Sequence, residues 1–377
     1  MLMALAFRSL LHGWRRFAPA VVAVGFSGLL VLLQAGLILG IFSLSSIYVT
    51  RSTADLWIGF PGVQSLDLGR PISEQAELFM WMQPGVERVE PFLWGTGEWR
   101  TASRGMINVY LVGVDTHQDA MALSSALDPK LRAALETPDS VIIDAADLRK
   151  LETHMGGTAE INGRQVTVVG LTYGLRGLGG VNVITSLTTT RWLDPASGPQ
   201  GDVAYFLAKL ATPQKAKSVA DRLNILGAQR GFEALTTDGF ADRTTRYWLS
   251  ESGAGAAFIF GSIIAILVAV VITSQTLLAA VSASIKEYAA LRALGFSMSA
   301  LRTIVLAQSF WVGTCGMIIA AVLTGVLALI EKSQNVPIIL SPEVIGLGSL
   351  IILFVALLSG LFALRRVAQA DPAALLL

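Results

Sequence analysis

The residues that could do chemistry in this 377-residue chain are few and scattered. The three histidines, His12, His117 and His154, lie far apart, with no H-E-x-x-H and no paired cysteines, so no metal-ligand spacing is present. The single cysteine, Cys315, lies in an apolar run and is not placed for nucleophilic work; it also precludes a disulfide within one chain. No G-x-S-x-G marks a serine nucleophile. No lysine follows a glycine, which excludes a G-x-x-x-x-G-K-[ST] phosphate loop of the chain's own. The glycine-rich "GLRGLGG" (174–180) lacks the G-x-G-x-x-G spacing and reads as a plain loop. What remains is "IKEYAALRALGFSMSALR" (285–302), a charged, aromatic stretch between two very apolar runs. Its residue types suit docking and the transmission of force rather than bond-making. Ile285–Leu294 is rich in helix formers, and Leu291 and Leu294 share a face at a spacing of three. Gly295 fits the left-handed position that ends a helix, with Phe296 folding back onto Leu291, and Ser297 or Ser299 can cap the next helix. Two readings stay open from the physics alone: a rigid lever that docks a cytoplasmic partner, or an amphipathic turn on the membrane surface.

The elements that hold this stretch follow from hydropathy. The chain has a mean hydropathy of +0.61 and only 15% charged residues, against about 25% in an ordinary soluble chain. The deficit is concentrated: 17–50, 252–285, 303–330 and 344–364 contain no Asp, Glu, Lys or Arg. Each run exceeds the roughly 20 apolar residues needed to cross a bilayer. We therefore expect four transmembrane helices, at about 17–45, 255–284, 303–330 and 344–365. The first follows Arg15 and Arg16 as a secretory signal would, yet its apolar run far exceeds a signal core of about 7–15 residues, so it reads as a retained anchor. Arg8, Arg15 and Arg16, then Lys286, Arg292 and Arg302, then Arg365 and Arg366 flank the spans on one side, while the loop between the third and fourth holds only Lys332. This bias places both termini and 286–302 in the cytoplasm and the segment of about 50–250 outside. The expected organisation is 1–49 cytoplasmic N-terminus and first span, 50–250 extracytoplasmic domain, 251–285 second span, 286–302 cytoplasmic helix, and 303–377 third and fourth spans with a short cytoplasmic end. The spans lack the ionisable residues that ion-coupled transporters keep inside the membrane, so energy would come from another subunit.

The outer segment carries more acids than bases, although the whole chain is +1, and shows no basic patch for nucleic acid. Its pattern is mixed α/β. "MINVYLVGVD" (106–115) and "SVIIDAADLRKL" (140–151) open on β-prone runs, the second turning helical. "AEINGRQVTVVG" (159–170) alternates around Asn162-Gly163, a strong hairpin signal. "DVAYFLAKL" (202–210) reads as a strand, and 212–227 as a helix capped by Thr212, with Pro213 at its first position and Gly227 at its end. Trp81, Trp94 and Trp99 fall in an aromatic-rich stretch that suits either core packing or a lipid or partner surface. In the membrane, Gly36 and Gly40 form a G-x-x-x-G with Gly28 two turns below, and Gly313 and Gly316 could act similarly in the third span; such glycines let helices approach, within or between protomers. Gln34 and Gln275 are polar at membrane depth and are expected to face other helices.

One long N-terminal span, an outer domain of about 200 residues and three C-terminal spans resemble the MacB/FtsX-like superfamily of ABC transporter permeases (type VII). "EYAALRALGFSMSAL" looks like that superfamily's cytoplasmic segment before its third span, closest to the DevC-like branch of glycolipid-export permeases. "VGFSGLLVLLQAGL" (24–37), "YWLSESGAGAAFIFG" (247–261) and the ending "LRRVAQADPAALLL" (364–377) are similar to their counterparts there. The resemblance implies an α-helical membrane protein with four transmembrane helices and a mixed α/β periplasmic domain between helices 1 and 2. It implies a non-enzymatic homodimeric permease in a bacterial inner membrane, with a separate cytoplasmic ABC ATPase dimer that holds the ATP and Mg, so no cofactor in this chain. A periplasmic membrane-fusion adaptor and a TolC-like outer-membrane duct would complete a machine for exporting a lipid-like or amphipathic substrate by mechanotransmission. Carried onto this sequence, the ATPase-coupling residues are Lys286, Glu287, Tyr288, Leu291, Arg292, Leu294, Gly295 and Phe296. "SASIKEYAAL" departs from relatives by its small serines and alanines, which leaves the identity of the ATPase open. Alternatives are a lipoprotein-release permease and FtsX-like signalling to a cell-wall hydrolase, the latter disfavoured by the size of the outer domain.

Overall fold

The computed structural model describes residues 12–178, 180–198, 201–332 and 341–369. Arg8 and the end of the chain beyond 369 lie outside the described residues. Two compact units result: the inserted segment Ile41–Ala256, and a helical unit built from the chain on either side of it.

Among the described residues, four helices are long and apolar enough to cross a membrane. They are Trp14–Ser45, Gly253–Ala283, Met298–Lys332 and Pro342–Gln369, so the uncharged runs extend by a few polar residues at their ends. Within the helical unit the first span packs on the other three. Ser27 accepts from Thr273 Oγ1 at 3.3 Å and its own hydroxyl reaches the Ala269 carbonyl of the second span. A Cβ on Gly28 would lie 2.7 Å from Ala320 Cβ and 3.0 Å from Ile352 Cδ1, and one on Gly316 only 2.5 Å from Val24 Cγ1. These helices touch through missing side chains, as close packing in lipid favours. Gly25, Gly28 and Gly316 make close contacts between helices, and the expected pair Gly36 and Gly40 is buried as well. Gly313 packs against Leu353 and Ala356 of the fourth span.

The inserted unit is mixed α/β. Its strands are β1 Leu56–Gly59, β2 Val86–Arg100, β3 Met106–Val114, β4 Ser140–Asp144, β5 Thr158–Ile161, β6 Arg164–Thr172, β7 Val181–Ser186, β8 Tyr205–Leu210 and β9 Glu233–Thr236. Their order is β3-β7-β4-β6-β5-β2-β8-β1-β9, and β2 pairs with β3 as well, closing six strands into a ring. β2 belongs to both halves. Its first part, through Phe92, pairs with β8 of the antiparallel β2-β8-β1-β9 sheet; from Leu93 to Arg100 it pairs with β3, and at Trp99 and Arg100 also with β5. The expected strands at 106–115, 140–144 and 202–210 are present, and the hairpin turns where Asn162 (φ 50°) and Gly163 (φ 77°) both take the left-handed conformation a two-residue turn needs. The helix near 212–227 differs from expectation. Pro213–Lys215 is a 3₁₀ turn and the α-helix is Ala216–Gly227; the Thr212 side chain makes no capping bond.

Burial of aromatics stands in for the missing disulfide. Trp57 is buried with its ring centroid 5.3 Å from Phe92 and 5.8 Å from both Tyr205 and Phe240. Trp99 is also core, donating to the Leu151 carbonyl; Trp94 packs edge-on to Tyr48; Trp81 is the exposed one of the three. Buried charge is fully engaged at one site. The Glu90 carboxylate accepts from the backbone of Met121 and Ala122, while Arg132 donates to the carbonyls of Asp115 and Ala122. Burial pushes the Glu90 carboxyl up despite those two donors.

Glu233 and Arg243 form a two-pronged ion pair, at 2.8 and 3.0 Å, and Gly62 N–H adds a third donor. Burial works against the charge, but these partners prevail and hold the Glu233 carboxyl below its ordinary value of 4.5. A depressed folded pKa means the unfolded chain binds the proton first, so the pair's stabilisation is complete above pH 4.5 and is lost as pH falls below it. Glu233→Gln is expected to cost about 1–3 kcal/mol at pH 7. The gap between the thermal midpoints of wild type and variant should narrow steadily from about pH 5 down to about pH 3; a gap independent of pH would refute this account.

The chain leaves the inserted unit through an irregular connector. The helix Thr237–Arg246 runs into a π-helical turn, Tyr247–Glu251, and Ser252 is extended (φ −79°, ψ 144°) before the second span starts at Gly253. Ser252 Oγ donates to the Trp248 carbonyl and accepts from Gly255 N–H, pinning the turn to the new helix. Gly255 has no room for a Cβ, which would fall on the carbonyl oxygens of Trp248 and Leu249.

Candidate functional site

The second span ends at Ala283, and the chain kinks at Ser284 into a separate nine-residue helix, Ile285–Ala293. Ser284 holds the kink, its hydroxyl bonded back to the Ala280 carbonyl and its own carbonyl accepting from Glu287 and Tyr288 N–H. The helix stops as its sequence requires. Gly295 takes φ +91°, its N–H bonds to the Arg292 carbonyl, and Phe296 N–H bonds to the Leu291 carbonyl. That pair of bonds is the Schellman arrangement, which satisfies the last carbonyls and turns the chain sharply. Of the two candidate caps, Ser297 is used: Ala300 N–H donates to its hydroxyl and Leu301 N–H to its carbonyl, starting the third span.

The structure divides the expected coupling residues into two sets. Tyr288 (4% exposed) faces the bundle, where its hydroxyl donates to Gln308 Oε1 of the third span at 2.7 Å. It packs with Val281, Leu301, Ile304, Val305 and, partly buried, Leu291. Burial, aided by the neighbouring Glu287, pushes the Tyr288 phenol up to about 12, so it remains a hydrogen-bond donor across the physiological range. Tyr288 and Leu291 thus hold the helix in place. The outward set is Lys286, Glu287, Arg292, Leu294, Gly295 and Phe296. Leu294 is 77% exposed and Phe296 36%, so two apolar side chains stand exposed at the helix stop, and Arg292 and Lys286 are exposed as well. Glu287 pairs with Arg16 of the first span at 2.5 Å. Both partners are about half exposed, so the pair fixes geometry more than it adds stability. Chemically, this is a two-sided element: Tyr288 and Leu291 are keyed to the third span, and the remaining surface carries exposed apolar and charged side chains.

Sequence reasoning missed Gln308 as the partner of Tyr288 and Arg16 as that of Glu287. A polar side chain in an apolar run was the available signal for Gln308. Among the packing residues, Gln34 faces another helix, its amide donating to the Phe258 carbonyl at 3.5 Å. Gln275 does not: it is exposed on the outer side of the second span within a single chain.

Residues 259–372 match the family model for the FtsX-like permease C-terminal domain. The match takes in most of the second span, the third and fourth spans and the segment 285–302 between them. The chain is similar to two solved structures. One is the periplasmic region of MacB from Actinobacillus actinomycetemcomitans (14% identity, TM-score 0.35, covering 50% of this chain and 90% of that one). The other is the extracellular domain of the ABC-type transporter YknZ from Gram-positive bacteria (12% identity, TM-score 0.34, covering 48% and 100%). Among curated proteins, none matches this sequence.

Proposed function

We propose that this chain is the permease subunit of an ABC-type export system, working as a homodimer in a bacterial inner membrane with its inserted domain outside. A separate cytoplasmic ATPase docks on the outward set Lys286, Arg292, Leu294 and Phe296, and its nucleotide-driven movement is passed through the spans to the inserted domain. The observation that carries this reading is the helix Ile285–Ala293 itself, inside the FtsX-like match, anchored through Tyr288 and ending in a hard stop with exposed apolar side chains. A helix that merely lay on the membrane surface would not need to be keyed to Gln308. The cargo is lipid-like or amphipathic, and a periplasmic adaptor and outer-membrane duct complete the route. Gln275, exposed at membrane depth in one protomer, fits a contact with the second.

Affinity purification of the detergent-solubilised chain from its own host, followed by mass spectrometry, tests the assignment. An ABC ATPase together with an adaptor supports export. An ATPase with a cell-wall hydrolase and no adaptor would convert the reading to signalling, and the absence of any ATPase from an intact dimer would end it.

A further inference from the structure

The helical unit contains a cavity of about 270 Å³ between the first, second and fourth spans. Ile38, Ala265, Ile266, Leu347 and Ile351 line it, with Gln34 as its principal polar side chain. Ile266 and Leu347 are also exposed, so the cavity opens sideways, towards what would be lipid. Its depth can be read from the first span. Arg15 and Arg16 mark one boundary of the apolar run, and Gln34 lies 17 residues past Phe17, roughly 26 Å along the helix at about 1.5 Å per residue. A hydrocarbon core about 30 Å thick then ends just beyond Gln34. The fourth span agrees, since Glu343 precedes Leu347 by one turn. The cavity therefore lies in the leaflet adjoining the inserted domain, with Gln34 near the level where acyl chains join their headgroups.

The polar chemistry is specific to that level. Gln34 makes one long bond, 3.5 Å, to a Phe258 carbonyl that already accepts from Ser262 Oγ at 2.8 Å. An amide so weakly engaged in an apolar site is costly unless a ligand supplies an acceptor. The one other polar side chain in the lining, Ser262, is tied to that Phe258 carbonyl, and the remaining lining residues are apolar, offering nothing to a charged or sugar group.

We propose that this cavity binds one acyl chain of a lipid from the leaflet next to the inserted domain, with the ester or amide carbonyl of that chain accepting from Gln34 Nε2. The site rests on the span assignment alone, so a failure of the ATPase purification above would leave it standing.

The test uses the full chain reconstituted in phosphatidylethanolamine and phosphatidylglycerol vesicles doped with a phospholipid carrying a diazirine on its acyl chain. After illumination, the labelled peptides are mapped. Label should concentrate in 31–39, 262–266 and 344–351, several-fold above the equally exposed stretch around Ile318 and Val322 of the third span. Ala265→Phe, which fills the cavity, should lower labelling in the three segments several-fold and leave the third span unchanged. Gln34→Leu should abolish the advantage of ester-linked over ether-linked lipid as a competitor. Uniform labelling of all exposed faces of the wild type overturns the proposal even if Ala265→Phe does not reconstitute, and so does labelling that Ala265→Phe leaves unaltered.

Discussion

Leu294→Asp is expected to weaken ATPase capture by about 30-fold or more, the effect of losing a central anchor worth about 2 kcal/mol or more at a protein interface. Leu294 is the most exposed apolar side chain of the segment 285–302. In the docked state it would be the residue most fully desolvated, and a carboxylate there would be buried without a partner. Because Leu294 contributes nothing to the cluster around Tyr288, the permease itself should fold and assemble normally. Leu291→Asp is a poorer probe: it would also lose the ATPase, but by breaking the contact that seats the helix. The measurement is binding of the purified ATPase to the chain in nanodiscs, with the thermal midpoint of each variant recorded alongside. Undiminished binding by Leu294→Asp would remove the exposed helix stop from the interface.

Gly255→Val is expected to separate ATP hydrolysis from movement of the inserted domain. A side chain at 255 would have to displace the carbonyls of Trp248 and Leu249, and these are backbone atoms that cannot swing aside. Overpacking of this kind costs about 3 kcal/mol, enough to open the π turn and release Ser252 from its bonds to Trp248 and Gly255. The coupling segment lies at the opposite end of the second span in sequence, so ATPase binding should persist. Proteolytic cleavage within 247–253 should rise, and the nucleotide-dependent distance change reported by a spin label in the inserted domain should fall to background. A variant that folds and still shows the full distance change would show that the connector need not be stiff.

Elements whose specification is local are legible in the residues themselves. The spans follow from uncharged runs that no soluble helix tolerates, the hairpin from Asn162-Gly163, and the coupling-helix stop from Gly295 after a helix-forming stretch. One failure is local, the missing cap at Thr212; the others concern partners distant in sequence. Nothing near Tyr288 says that it turns inward to Gln308, twenty residues on, because the nine-residue helix has almost no amphipathic pattern of its own. Gly36 and Gly40 have the recognised spacing and are buried, but no spacing announces the close approaches at Gly28, Gly316 and Gly348, since closeness depends on what the facing helix presents. Polarity alone predicts Gln275 inside the bundle, whereas within the single chain it is exposed. The ring of six strands is equally hidden: it needs parallel pairings of β3 with β7 and β4 with β6, neither of which a hairpin pattern announces.

The length of β2 bears on how the inserted unit would behave under load. Fifteen consecutive residues serve first the open sheet and then the ring, with no loop between the two duties. A pull on one half cannot be absorbed by a flexible joint, because the shared strand acts as a girder and any yielding must break ladder bonds to β8 or β3. Such a body would move as a whole, which fits the movement of the inserted domain proposed above.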